Sequence, residues 1–210
     1  MLSNLRPPKS TRNPQAVEVA IDFLQKGKVI CFATDTVYGV AVDATNSKAV
    51  EGLYKLKKRE KNKPISVFLK NLESAKKLFT FNNLANEIVE KFMPGDITVI
   101  LKTTNFAKKI LAKNLNNNDD NFIGFRIIDS YFVQKLFEKY DGILAVSSAN
   151  EAFKDPCASV SLVKKNLKNL DLLIAGKKTS KISSTIVKIV DNELILIRQG
   201  KLILKDYVNQ

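Results

Sequence analysis

The segment KVICFATDTVYGVAV, residues 28–42, decides the expected fold. It opens with a compact β-rich run, Lys28 to Ala33, that is typical of a buried strand. Thr34-Asp35-Thr36 interrupts the run, and a second β-like stretch extends from Val37 to Val42. Binding loops commonly follow buried strands, so these hydroxyls and this carboxylate are candidates for binding a small polar ligand. The alternative is an ordinary turn stabilised by its own Thr and Asp side chains, and the local chemistry alone favours it.

Helices and strands alternate irregularly on both sides of this segment. A helix is expected from Pro14, after the N-cap Asn13, to Gly27. Further helices are predicted at Ser47–Lys57, Leu72–Phe79, Leu84–Phe92, Tyr131–Tyr140 and Val160–Leu167. Further strands are predicted at Ile65–Leu69, Ile97–Leu101, Phe122–Ile128, Ile143–Val146 and Leu172–Ala175, followed by a hairpin of Thr185–Val190 and Glu193–Arg198 that turns at Asp191-Asn192. A polar loop is expected at residues 114–121.

The lack of strict β-α-β alternation predicts an α/β fold with a twisted, mixed sheet flanked by helices. We expect a single domain over residues 1–210, with its core at about 14–200. No run approaches the roughly 18 consecutive apolar residues that a membrane span needs. The N-terminus has no apolar signal region, and the two cysteines form no CxxC pair. These features favour a cytoplasmic protein without a membrane partner, a disulfide scaffold or a zinc ribbon.

The chain contains no histidine. This excludes Ser-His and Cys-His nucleophile systems and removes the most common general base and metal ligand. Catalysis would then depend on positioning and on charge stabilisation by cations, hydroxyls and backbone groups. The net charge of +13 favours an anionic partner such as a nucleotide or nucleic acid, although a solvated lysine-rich surface would give the same number.

Two further clusters could bind anions. Residues 57–64, KKREKNKP, place four lysines and an arginine at a helix end that leads into a strand. They could grip phosphate, or they could be solvated cations favoured by the helix dipole. Residues 145–150, AVSSAN, put small polar groups at a strand end, where they could bind a carboxylate or ribose or cap the next structure. GxxxxGK[ST] and GxSxG are both missing, so P-loop and serine-hydrolase chemistry are excluded.

In this order, the clusters resemble the YrdC-like family of L-threonylcarbamoyladenylate synthases, from about Val29 to Gly200. The matching motifs are TDTVYG at 34–39, Asp43-Ala44, the K-x-R of 57–59, Lys63-Pro64-Ile65, MPGDIT at 93–98, the strand-borne Arg126, SSAN at 147–150, Ser184-Thr185-Ile186-Val187 and Arg198-Gln199-Gly200. One such motif is weak, whereas nine in the correct order are very hard to obtain by chance.

The resemblance implies a large basic cavity over a mixed sheet and a synthesis of L-threonylcarbamoyl-AMP from ATP, bicarbonate and L-threonine. It implies an ATP site of Lys57, Arg59, Lys63, Asn150 and Arg198, with Lys57 and Arg59 contributing charge stabilisation, and an L-threonine site of Thr36, Arg126, Ser148 and Ser184. Mg²⁺ is expected to accompany ATP, without a dedicated protein metal site. The product would pass to a tRNA-modifying transferase complex, and direct contact with tRNA or RNA is a further expectation.

Several positions depart from the family pattern. Phe68 stands where many relatives have histidine, Glu60 and Asp96 replace prolines, Ser183 replaces an acidic residue, and Glu151-Ala152-Phe153 replaces a small turn that contains glycine. Two alternatives remain at this stage. One is a YrdC-like RNA-binding protein without synthase activity, which the lysines between 164 and 181 support. The other is a paralogue with a different substrate.

Overall fold

The computed structural model describes residues 9–10, 14–118, 120–205 and 207. Ten strands of these residues form one mixed sheet. The strands are β1 (Lys9–Ser10), β2 (Ile30–Ala33), β3 (Tyr38–Asp43), β4 (Ser66–Phe68), β5 (Ile97–Lys102), β6 (Phe122–Arg126), β7 (Leu144–Ser148), β8 (Leu172–Ala175), β9 (Thr185–Val190) and β10 (Glu193–Arg198). Their order across the sheet is β1-β8-β2-β3-β7-β4-β6-β5-β9-β10. The predicted α/β class with a mixed sheet is therefore confirmed.

Seven α-helices lie among the described residues. They are α1 (Pro14–Gln25), α2 (Ser47–Lys57), α3 (Leu72–Leu78), α4 (Asn83–Phe92), α5 (Asn105–Ile110), α6 (Tyr131–Lys139) and α7 (Val160–Asn166). No helix of this described set is both long and apolar enough to cross a membrane. Three elements were not predicted: β1, α5 and a 3₁₀ helix at Lys113–Leu115, which takes the first two residues of the predicted polar loop. All are too short to show a hydrophobic period, with two, six and three residues.

Local signals in the sequence explain where the elements begin and end. Asn46 caps α2, because its side chain accepts hydrogen bonds from the backbone N–H groups of Lys48 and Ala49. Gly27 follows α1 and has φ +67°, a left-handed conformation that commonly terminates a helix, as the sequence predicts. Asp191 and Asn192 have φ values of +49° and +66°, the conformation that a two-residue hairpin turn requires. The predicted N-cap Asn13 lies outside the described residues.

Alternation along the strands divides the apolar side chains between the two faces of the sheet. One face packs under α2, α3, α4, α5 and α7, with Val67, Val99, Phe125 and Val187 pointing towards these helices. The other face packs under α1 and α6, where Ile30, Phe32 and Leu144 meet Leu24 and Leu136. This second cover reaches the strands from β8 to β7. Phe68 of β4 still packs in this cluster, and beyond it the same face lies open as far as β10 in the described part of the chain.

Candidate functional site

A cavity of about 300 Å³ occupies the open half of this face. Its floor is built from alternate residues of neighbouring strands, because every second side chain points to the same face. These are Ser66 and Phe68 of β4, Thr98 and Ile100 of β5, Phe122, Gly124 and Arg126 of β6, Val146 and Ser148 of β7, and Ile186 and Lys188 of β9. Thr34 and Thr36 from the loop before β3, and Arg59, Ser184 and Arg198, complete its polar wall.

Gly124 lies at the centre of the floor. A Cβ atom placed there would be 2.7 Å from the Ser66 hydroxyl and 3.1 Å from the Thr98 methyl group. A side chain at this position would therefore displace Ser66 and Thr98 and take up part of the cavity.

Arg59 enters the cavity from the end of α2. The helix ends at Lys58, which has φ +51°, and this left-handed residue turns the chain towards the cavity. The Arg59 guanidinium is held from behind, since its Nε donates to the Lys63 carbonyl at 3.0 Å and its Nη2 to the Pro64 carbonyl at 2.9 Å. Among the described residues, no carboxylate forms an ion pair with Arg59. Its positive charge thus remains available to a ligand.

Arg198 reaches the same cavity because of a β-bulge in β10. Leu196 pairs with Val187 of β9, but Arg198 rather than Ile197 pairs with Ile186. The extra residue moves Arg198 to the cavity side of the sheet, since directly paired residues share a face. Its Nη2 donates to the Ser184 carbonyl at 2.8 Å. Burial lowers the pKa of Arg198, and so do the positive charges of Arg126 and Arg59. The Arg198 guanidinium is therefore close enough to Arg126 and to Arg59 for their charges to act on it.

Arg126 differs from the other two because carboxylates already neutralise it. Its Nη2 donates to Asp35 at 2.7 Å and to Asp96 at 3.3 Å. Its Nη1 donates to the Thr36 hydroxyl at 3.1 Å, and its Nε to the Gly95 carbonyl at 2.7 Å. Burial raises the pKa of Asp35, although the Arg126 charge opposes this shift. A ligand carboxylate would therefore meet a guanidinium that is fixed in place and whose charge is partly balanced by Asp35 and Asp96.

The loop at residues 34–37 is a turn held by its own side chain, and it also presents a hydroxyl group to the cavity. Thr34 stabilises the turn, because its hydroxyl donates to the Val37 carbonyl at 2.5 Å and accepts from the N–H groups of Thr36 and Val37. Thr36 instead presents its hydroxyl to Arg126. The hydroxyl of Ser184 lies 2.9 Å from that of Thr98. Hydroxyl groups from the loop, β5, β7 and the segment before β9 thus face the guanidiniums across one cavity.

Three predicted site residues lie outside the cavity lining. Lys57 is 1% exposed, and its Nζ donates to the backbone carbonyls of Ser148 and Asn150. Burial and the charge of Arg59 lower the pKa of Lys57 to about 7. Lys57 therefore holds the SSAN segment, residues 147–150, through two hydrogen bonds to its backbone. The ammonium group of Lys63 lies beside Glu60 at 3.3 Å, on the outer side of the Arg59 loop.

Asn150 is the third of these residues. Its Nδ2 donates to the carbonyls of Glu151 and Lys154 at 2.9 and 2.6 Å, and this fixes the orientation of the amide. Its Oδ1 is buried and has no hydrogen-bond partner in the described structure. The side chain consequently orders the loop that follows β7 and keeps one unsatisfied acceptor beside it.

Sequence reasoning missed the cationic side chain of Lys188. Its Nζ lies 3.6 Å from Asp120 and 4.0 Å from the centre of the Phe122 ring, at the far wall of the cavity. The available signal was the alternation of the predicted hairpin, because Ser184, Ile186 and Lys188 share a face. Asp96 was noted only as a departure from a motif. In the structure it joins Arg126 to Lys201, whose Nζ lies 2.6 Å from its Oδ2.

The chain is thus an α/β protein with one large mixed sheet, and guanidiniums and hydroxyls are among the groups that line the open half of one sheet face. The family model Sua5_yciO_yrdC, described as "Telomere recombination", matches residues 22–200. The chain belongs to this family.

Similar proteins agree with that assignment. A relative from Methanocaldococcus jannaschii, named putative threonylcarbamoyl-AMP synthase, is 36% identical over 194 residues, which cover 90% of this chain and 89% of the relative. The crystal structure of P. abyssi Sua5 complexed with L-threonine has a TM-score of 0.84 at 23% identity and covers 92% of this chain. This chain spans 56% of that protein. E. coli YciO has a TM-score of 0.84 at 20% identity, with 96% of both chains covered. These two structures show the fold.

Proposed function

We propose that this protein is a threonylcarbamoyl-AMP synthase, and thus a nucleotidyltransferase that acts on L-threonine, bicarbonate and ATP and releases pyrophosphate. The observation that carries the proposal is the convergence of Arg59, Arg126 and Arg198 on one cavity with Thr36, Ser148 and Ser184. The 36% identical relative that bears this enzyme's name supports the choice of reaction. The fold alone does not decide the reaction, because E. coli YciO, whose name states no reaction, shares this fold.

The nucleotide phosphates would lie against Arg59 and Arg198. These two guanidiniums are held by backbone carbonyls and form no ion pair with a described carboxylate, so an anion is the missing partner. A planar guanidinium can bind phosphate oxygens through two N–H groups. Lys57 would act indirectly, by holding the carbonyls of the SSAN segment. In this proposal Lys63 and Asn150 contribute from the loops that flank the phosphates.

The amino acid would lie at the other end of the cavity, between Arg126 and the hydroxyls of Thr36, Ser148 and Ser184. Arg126 has five N–H groups, and four of them are used by Asp35, Asp96, Thr36 and Gly95. The remaining Nη1 hydrogen can donate to the threonine carboxylate. A zwitterion is the ligand that suits this balanced arrangement, because a bare anion gains little beside two existing carboxylates.

The reaction needs no histidine. The threonine ammonium group and bicarbonate give N-carboxy-threonine, with loss of water and release of a proton to solvent. A carboxylate oxygen of this species attacks the α-phosphorus of ATP, a new O–P bond forms, and the bond to the leaving pyrophosphate breaks. The attacking group is already ionised, so the protein's task is to align the reactants and stabilise phosphate charge. Such positioning can contribute about 7–11 kcal/mol to catalysis.

Magnesium would enter as part of the MgATP substrate. Asp35 and Asp96 are the carboxylates beside Arg126, and both already pair with cations, Arg126 for the first and Arg126 and Lys201 for the second. They would have to give up these ion pairs to bind a metal ion. We therefore assign the ion to the ATP phosphates, which lie at the opposite cations in this proposal.

The product would serve a separate transferase that modifies tRNA, in the cytoplasm. The lysines at positions 164, 165, 168, 177, 178 and 181 are exposed and form no ion pair with a described carboxylate, which favours direct contact with RNA. RNA binding without synthesis is the second candidate function. It would show as an RNA affinity that falls steeply with salt, with no turnover of ATP.

Mass spectrometry of the protein with ATP, bicarbonate and L-threonine tests the proposal. We expect threonylcarbamoyl-AMP and an equal amount of pyrophosphate, and neither in mixtures that lack threonine or bicarbonate. Replacing threonine with serine measures the selectivity of the pocket. Absence of the adduct from the complete mixture, with folded protein, would refute the proposed reaction.

A further inference from the structure

Phe153 is a bulky aromatic residue that packs on almost nothing. Its side chain is 85% exposed, and its backbone has φ +65°. A positive φ is unusual for a bulky residue and costs on the order of 1–3 kcal/mol, so such residues persist only where the surroundings impose the conformation. Neither burial nor backbone preference explains a phenylalanine at this position.

The loop around Phe153 is nevertheless tightly held. The Ala152 N–H donates to the Lys57 carbonyl at 2.8 Å, and the Lys154 N–H donates to the Glu151 carbonyl at 3.2 Å. The Glu151 carboxylate lies between the ammonium groups of Lys58, at 2.9 Å, and Lys154, at 2.7 Å. The amide of Asn150 adds its two hydrogen bonds across the same turn. The backbone position of Phe153 is therefore set by contacts on both sides of it.

The ring lies beside Lys63, a cation that flanks the proposed phosphate site. The Lys63 ammonium is 4.3 Å from the centre of the Phe153 ring. The carbonyl of the same lysine accepts the hydrogen bond from the Arg59 Nε, and the next residue, Pro64, lines the cavity. An aromatic ring, an ammonium and a guanidinium thus follow one another from the loop to the cavity. This sequence of groups matches a molecule with a flat base at one end and a chain of phosphates at the other.

We propose that Phe153 is the stacking surface for the purine base of the nucleotide substrate, at the outer edge of the cavity. The inference rests on the proposed function, because it takes ATP as the ligand whose phosphates face Arg59 and Arg198. Every base has a flat π face, so a fixed, exposed aromatic ring can bind it without hydrogen bonds. The ring gains a partner on the face that the lysine leaves open, and the held loop removes the entropy cost of ordering it on binding.

Calorimetric titration of wild-type protein and Phe153→Ala with ATP and with inorganic tripolyphosphate tests this role. Tripolyphosphate carries the phosphate charge without a base. We expect Phe153→Ala to weaken ATP binding at least about fivefold and to leave tripolyphosphate binding unchanged. Phe153→Trp should retain ATP binding. Tyr131→Ala is a matched control, since Tyr131 is 60% exposed with the Lys135 ammonium 5.9 Å from its ring, on α6. It should change neither affinity.

The outcomes separate this inference from the proposed function. Wild-type binding of ATP that Phe153→Ala leaves unchanged would overturn the stacking role and leave the synthase proposal standing. An equal loss for ATP and tripolyphosphate would also overturn it, because the residue would then act through the phosphate site. A wild-type protein that binds no ATP would overturn the proposed function and this inference together. The melting temperature of Phe153→Ala should match wild type, since the ring buries almost no surface.

Discussion

One face of the sheet is covered in one half and open in the other. Under α1 and α6, the side chains that point out of β2, β3 and β8 are apolar and buried, such as Ile30, Phe32 and Ile174. Past β7 the same alternation presents Ser66, Thr98, Gly124 and Lys188 to the cavity. Phe68 and Val146 belong to both halves, because they join the apolar cluster and also line the cavity.

The difference shows that the cavity is a continuation of the core face on which polar groups replace helix-packing groups. Apolar burial should then account for stability in the covered half, and charge and hydroxyl placement for binding in the open half. Substitutions in the two halves should therefore have separable effects, and each of the following changes tests that separation.

The largest effect on stability is expected from Leu136→Ala in the covered half. Leu136 is fully buried between α6 and the sheet, so its truncation leaves a cavity. We expect a loss of about 2–5 kcal/mol in the free energy of unfolding, measured by urea denaturation. The KM for ATP and for threonine should stay unchanged in the folded protein. Leu162→Ala is the control, because this leucine is 40% exposed. A changed KM without lost stability would contradict the separation.

The next effect is expected from Arg59→Ala in the open half. The change removes a charge-assisted contact to phosphate, and we expect a loss of about 1.5–3 kcal/mol in transition-state stabilisation. Pyrophosphate release with threonine and bicarbonate measures it. Arg59→Lys should recover part of the activity, because it keeps the charge and loses the planar fork. Lys55→Ala, on the exposed side of the same helix, is the control. Wild-type rates in Arg59→Ala would refute the phosphate assignment.

Sequence reasoning succeeded where local chemistry determined the outcome. The hairpin of β9 and β10 was predicted with its observed bounds, because Asp191 and Asn192 both tolerate positive φ. The convergence of Arg59, Arg126 and Arg198 could be anticipated from the resemblance to a family. The hydrogen bonds from Lys57 to the carbonyls of Ser148 and Asn150 could not be anticipated from the sequence. A lysine in the last helical turn ordinarily lies in solvent, and only the tertiary position of β7 brings two carbonyls within reach of its ammonium group.

The same limit applies to Arg126 and Arg198. The partners of Arg126 come from residues 35 and 96, which are distant in sequence from it, so no local pattern shows that its charge is already balanced. The bulge that turns Arg198 into the cavity depends on how β10 pairs with β9. A run of alternating residues gives the period of a strand but not the place where one extra residue shifts its register.

Lys57 is buried against the backbone of the SSAN segment, and its titration should be visible in the pH dependence of stability. Its pKa falls from 10.5 to about 7 on folding, mainly through burial. Between these values the folded protein binds fewer protons than the unfolded chain, so the free energy of unfolding should rise with pH. The slope is at most about 1.4 kcal/mol per pH unit. No histidine titrates in this interval. Burial raises the pKa of the Cys31 and Cys157 thiols, however, and they act in the opposite direction above about pH 8, so the contribution of Lys57 has to be isolated with a variant.

Comparison with Lys57→Met isolates the contribution of Lys57. Urea denaturation of both proteins between pH 7 and 8.5 should show wild-type stability rising relative to the variant. The variant itself is expected to be less stable throughout, because the carbonyls of Ser148 and Asn150 lose their donor. Parallel pH profiles would mean that the ammonium keeps its charge in the folded protein, and the two short contacts with carbonyls would then be the reason.

The smallest effect is expected from Glu18→Gln, which breaks an ion pair on the outside of the covered half. The Lys139 ammonium lies 3.2 Å from Glu18, but the two side chains are 55% and 64% exposed. Water screens such a pair, and holding two long side chains together costs entropy, so the net contribution is close to zero. Urea denaturation and pyrophosphate release should both match wild type. A measurable loss of activity would mean that the helices over the covered half influence the cavity, and that the two halves are coupled through Phe68 and Val146.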